Sequence, residues 1–73
     1  MVDMKSVVSS NISAIGYDDD GARLHVKFAN GGEYVYHGIE PNDHERLLKA
    51  KSIGSHLHTH IKPKAAAVNK VEQ

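Results

Sequence analysis

The segment Leu24-His-Val-Lys-Phe-Ala-Asn-Gly-Gly-Glu-Tyr-Val-Tyr36 constrains the fold more than any other part of the chain. Leu24, Val26 and Phe28 alternate with Arg23, His25 and Lys27, the two-residue period of a strand with one buried face. Asn30-Gly31-Gly32 follows, a residue set that reverses the chain in hairpins. The segment therefore predicts two antiparallel strands, 22–29 and 33–39.

A third strand precedes them. Residues 12–17 are extended in character, and Asp18-Asp-Asp-Gly21 reads as a turn in which glycine supplies the positive φ. With a four-residue loop, Ile15 and Tyr17 join the Leu24, Val26 and Phe28 face. The second turn admits two registers. A two-residue loop puts Val35 on that face and leaves Tyr34 and Tyr36 beside Lys27 and His25. A three-residue loop, Ala29-Asn30-Gly31, with a glycine bulge puts both tyrosines on the apolar face. Tyr17, Phe28, Tyr34 and Tyr36 are the only aromatics, and burying rings removes much apolar area from water, which favours the bulged form. Residues 1–10 read as a lead-in, extended at Val7-Val8.

The pattern changes after Glu40. Pro41 suits a first helical turn, and Asn42-Asp-His-Glu45 resembles a cap with a reaching glutamate. A short helix through about Lys51 is expected to bury Leu47 and Leu48. Ser52-Ile-Gly54 breaks it. Ile53, Leu57 and Ile61 then recur every four residues, the stripe of a second short helix, which Pro63 stops. The fold class is α+β: a three-stranded antiparallel meander, then two short helices packed on one face. Residues 1–63 form one domain and 64–73 a mobile tail, since the latter lack an apolar face.

At 73 residues, one small core is all the chain can build, and about 60% of the unfolded surface is buried. Absence of cysteine excludes disulfides and thiolate metal sites. No apolar run approaches the roughly 20 residues of a membrane span, and the start lacks the apolar centre of a secretion signal. A soluble cytoplasmic protein is expected. The zero net charge hides an asymmetry: residues 1–45 carry eight acids against three bases, and residues 46–73 six bases against Glu72. A basic half suits an anionic partner; segregated charge without a partner is the plainer account.

In order and spacing the residues resemble the KTSC domain, a short module named for the C-terminus of some lysyl-tRNA synthetases. It also occurs as free-standing bacterial or phage-type proteins. The resemblance runs from residue 8 to 61: Val8-Ser-Ser10, Ile12, Ile15-Gly-Tyr17, Leu24-x-Val-x-Phe28, Gly32, Tyr34-x-Tyr36, Ile39, Leu47, Ala50, Ser52-x-Gly54 and Ile61. The family tends to carry aromatics near positions 44 and 56, where this chain has His44 and His56. Its proline tends to come one residue earlier, and an aromatic often follows the last isoleucine. The resemblance implies RNA binding, by association with the synthetase context.

Five constellations carry the chemistry. Arg23, His25, Lys27 and His37 line the sheet face that the helices leave open, where cationic groups can neutralise phosphates; a solvated polar face is the plainer account. Tyr34 and Tyr36 are stacking platforms or, more simply, core. His56-Leu-His-Thr-His60 places His56 and His60 at i and i+4 of a helix, a spacing that can chelate zinc or nickel; exposed polar residues are the plainer account. Ser52-x-Gly54 is a helix cap rather than a nucleophile, because no base is positioned beside it. Asp18-Asp-Asp-Gly21 lacks the spacing of a calcium loop.

No acid–base pair or nucleophile–base spacing is present, so the chain is expected to be no enzyme and to need no cofactor. The expectation is an accessory module that contacts structured or tRNA-like RNA. Arg23, Lys27, Lys49, Lys51 and Lys62 are the backbone contacts, and Tyr34 or Tyr36 the stacking residues. Changing Lys49 and Lys51 to Glu is expected to weaken binding. The alternative is a protein-interaction or homo-oligomeric assembly module that docks through an edge strand or the helix pair.

Overall fold

A computed structural model describes residues 3–71; the outermost residues of both expected ranges, 1–2 and 72–73, lie outside it. Strand β1 (Lys5–Ser6) is followed by β2 (Ile12–Asp18), β3 (Arg23–Phe28) and β4 (Glu33–His37). Helix α1 (Pro41–Lys49), helix α2 (Ile53–His56) with its π-helical continuation Leu57–Ile61, and β5 (Ala67–Lys70) complete the fold. All five strands are antiparallel neighbours in chain order.

The α+β class, the central meander and the two helices stand as the sequence predicts; the strand count does not. Within the expected mobile tail, Ala67–Lys70 instead forms β5, paired with β4 from Tyr34↔Lys70 to His37↔Ala67. The backbone explains what composition hid. Ala66 N–H donates to His37 C=O (2.8 Å) and Val71 N–H to Glu33 C=O (2.8 Å). Backbone pairing of this kind needs no apolar face of its own. Lys64 adds an ion pair to Asp43 at 2.7 Å. At the other edge the strand of the lead-in lies at Lys5–Ser6, just before the expected Val7-Val8; Val7 N–H donates to Ser13 C=O at 3.2 Å, and Val8 is 97% exposed.

The two hairpin turns differ in how they meet their steric demands. The second takes the bulged register: Phe28 N–H donates to Gly32 C=O (2.7 Å), Gly31 N–H to Phe28 C=O (3.0 Å), and Gly31 sits at φ 98°. Leu24↔Tyr36 and Val26↔Tyr34 therefore pair, which turns both tyrosines inward. The first loop runs one residue later than expected, between Asp18↔Arg23. Its positive φ falls on Ala22 (51°), not on Gly21. Asp18 holds the loop by accepting from Asp20 N–H at 3.1 Å and from Arg23 at 2.6 Å.

The core lies between the sheet and the helices. Ile12, Ile15, Leu24, Val26, Ile39, Leu47 and Ile61 are all less than 2% exposed or at that limit. Ile12 and Ile15 are three apart, the wrong parity for one strand face. An irregularity between Ile12 and Ala14 restores it, so both reach the core. Ile53, Leu57 and Ile61 are buried as their spacing predicts. Leu48 is 43% exposed, against expectation. A nine-residue helix lying on a sheet buries one narrow stripe, and Leu47 occupies it. Helix α1 ends at Lys49 and is capped by Glu40 rather than by Asn42 with Glu45. The Glu40 N–H donates to the Asp43 carboxylate at 3.1 Å.

Candidate nucleic-acid interface

Strand register fixes which side chains share each face. Arg23↔His37, His25↔Val35 and Lys27↔Glu33 point away from the helices, so the four expected residues do line the open face. That face is not basic. Glu33 stands directly across from Lys27, and Asp18 neutralises Arg23 at 2.6 Å. The Arg23 hydrogen bond holds the Asp18 carboxyl below its usual range. A hollow there is bordered by Asp3, Asp18, Asp19, Asp20 and Glu33, with Arg23 and His25, so acids outnumber bases.

The inner face carries the more distinctive arrangement. Helices cover it except toward the β3–β4 turn, where Phe28 and Tyr34 are only half-buried. Their rings meet edge-to-face with centroids 5.5 Å apart, a favourable aromatic geometry. Two clefts open beside them. One, of about 580 Å³, is lined by Asn11, Phe28, Asn30, Tyr36, His58 and Lys62, among others. The other, of about 530 Å³, is lined by Phe28, Asn30, Tyr34, Tyr36, Lys62 and Lys70 with Val68. Phe28, Asn30, Tyr36 and Lys62 belong to both. Each element contributes for a local reason. The bulged turn directs Tyr34 and Tyr36 inward, the register with β5 places Lys70 beside Tyr34, and the π-helical end delivers Lys62.

Of the residues singled out from sequence, the fold brings Tyr34, Tyr36 and Lys62 together. Tyr36 is 5% exposed and serves mainly as core; burial raises its hydroxyl above the ordinary tyrosine value. Tyr34 is the more accessible ring. Arg23 and Lys27 lie on the opposite face, and Lys49 and Lys51, exposed around the end of α1, border neither cleft. Phe28, Asn30 and Lys70 went unrecognised as site residues. Lys70 follows Val68 at strand spacing, a signal legible only once that segment is known to pair.

His44 takes the role of an aromatic contact from the helices. Its ring stacks on Tyr17 with centroids 5.1 Å apart and 11° between planes, and the Tyr17 hydroxyl donates to Ile39 C=O. Burial holds the His44 imidazole below the ordinary histidine value. His56 and His60 also stack, 4.4 Å apart and 6° from parallel. Among the described residues no three of His, Cys, Asp or Glu gather around a common point, and no helix is long and apolar enough to cross a membrane.

Comparison with known proteins places this geometry. The family model described as KTSC domain matches residues 8–64. A protein of Tsukamurella paurometabola is 37% identical over 65 residues, covering 89% of this chain and 97% of its own. An uncharacterised protein of Stutzerimonas stutzeri is 36% identical over 55 residues, covering 75% and 78% respectively. The crystal structure of a KTSC domain protein from Yersinia pestis superposes with a TM-score of 0.91 at 32% identity, over 99% of this chain and all of the other.

Proposed function

The chain belongs to the KTSC domain family, and we propose that it is a small non-enzymatic RNA-binding module whose contact surface is the aromatic and lysine-lined double cleft. The observation that carries the reading is the juxtaposition of Phe28 and Tyr34 with Lys62 and Lys70 around two adjoining hollows. Unpaired nucleotides bind in this way, bases against aromatic rings and phosphates against cations. A zero net charge leaves little long-range attraction, so affinity depends on this local patch. The fitting ligand is an unpaired stretch or end of a structured RNA.

An amide chemical-shift titration with mixed tRNA at low salt tests the reading. Shifts are expected at Phe28, Asn30, Tyr34, Lys62 and Lys70. An absence of shifts, or shifts confined to Arg23, Lys27 and their neighbours on the open face, would end it.

One observation favours assembly as a second reading. All four residues of β5 are exposed, and it terminates the sheet, so its outer backbone edge is open to a strand from another chain. A dimer in sedimentation that persists at high salt supports this role over RNA binding.

A further inference from the structure

We propose that His56 and His60 form a chelating site for one divalent transition-metal ion of the nickel, copper and zinc class, on the surface of the second helix. Three observations place it. The two imidazoles are stacked nearly parallel with centroids 4.4 Å apart. Two metal–nitrogen bonds of roughly 2.0–2.1 Å give a bite of about 3 Å between ligand atoms; because an imidazole lone pair lies in the ring plane, the two rings swing out of parallel to share one ion. The helix around them is a π turn, with Lys62 N–H donating to Leu57 C=O at 2.8 Å. Such turns are rare and recur at functional sites.

The third observation concerns one proton. Thr59 Oγ1 donates its single hydrogen to Ser55 C=O at 2.9 Å. Toward His60 Nδ1, 2.7 Å away, it can then only accept. With that hydrogen on Ser55, the matching His60 tautomer carries its proton on Nδ1 and keeps the Nε2 lone pair free. A ring held by its other N–H is how proteins orient a metal-binding histidine. Imidazole nitrogen without thiolate suits nickel, copper and zinc. Since no third protein ligand gathers among the described residues, water completes the coordination. Arg46 and Asp43 on α1 face His56 with opposite charges, the repulsion from Arg46 being the larger, so the ring nitrogens alone must hold the ion. The site is separate from the cleft proposed for RNA and does not depend on it.

The test is calorimetric titration of the tag-free, chelator-stripped chain with nickel chloride and with zinc chloride, followed by histidine ring resonances. One ion per chain is expected, with shifts centred on His56 and His60. H60A should abolish that binding. T59V should weaken it about tenfold, the usual cost of losing a ligand's orienting partner, while leaving the melting temperature of the metal-free chain unchanged. Since His60 is exposed, folding of H60A is checked by its amide spectrum. Wild-type affinity in a folded H60A, no binding of either metal at millimolar concentration, or ring shifts at His25, His37 or His58 instead would overturn the proposal.

Discussion

Replacing Lys62 and Lys70 by Gln removes both cations that border the proposed cleft while keeping side-chain length. Both residues are exposed, so the fold should survive. Each phosphate neutralised on a single strand contributes about −0.7 to the slope of log affinity against log salt. Two lysines therefore predict a slope of about −1.4, and a tenfold rise in salt should weaken binding about 25-fold. The double variant should bind weakly at low salt with a slope near zero. K49Q/K51Q and R23Q/K27Q should keep the wild-type slope, because those side chains lie away from the cleft. Fluorescence anisotropy of a labelled short oligoribonucleotide, repeated across a salt series, measures all four proteins. A wild-type slope retained by K62Q/K70Q, or lost in K49Q/K51Q, refutes the assignment.

Leu47→Ala should cost about 2–5 kcal/mol, the range for emptying a buried leucine site, whereas Leu48→Ala should stay within about 0.5 kcal/mol; urea midpoints compare them. Ala22→Gly relieves a left-handed backbone that costs an alanine about 1–2 kcal/mol, so it should raise the urea midpoint. Stability should also fall with acid in two stages. The folded chain holds His44 below the ordinary 6.5, so the unfolded chain binds more protons there. His44's contribution is complete above that value and is lost as pH falls through the lower folded one. Asp18 and Asp43 are likewise held below 3.8. Hydrogen bonding to Arg23 does this for Asp18. For Asp43, burial pulls upward, but the Lys64 and Glu40 hydrogen bonds outweigh it. Their contribution is present above 3.8 and lost below it. His44→Phe should keep the ring contact with Tyr17 and shrink the first stage in thermal melts followed across pH, leaving the share of His56, which burial also holds below the ordinary value.

The central meander was legible because alternation and glycine placement act locally. Leu24, Val26 and Phe28 announce a face, and Asn30-Gly31 announces the turn that brings Tyr34 and Tyr36 onto it. The helices were legible at Pro41 and in the Ile53, Leu57, Ile61 stripe. What escaped the sequence is held by partners remote in the chain. Ala67–Lys70 forms a strand because β4 offers an unpaired edge, not because its residues favour one. Ala22 takes the positive φ because Asp18 and Arg23 fix the loop around it. The cleft was half legible: Tyr34, Tyr36 and Lys62 stood out by type. Phe28 looked like core alone, and Lys70 depended on the unseen strand. The open face misled for the same reason, since Asp18 and Glu33 come opposite Arg23 and Lys27 only through cross-strand register.

Because spatial order along the sheet repeats order along the chain, most pairing partners become available as soon as they are synthesised. Strands two to four can close before any helix exists. The final ribbon comes only after the 38–66 segment that carries both helices. Amide exchange should follow that hierarchy, with the last-joined ribbon opening first and the middle hairpin last.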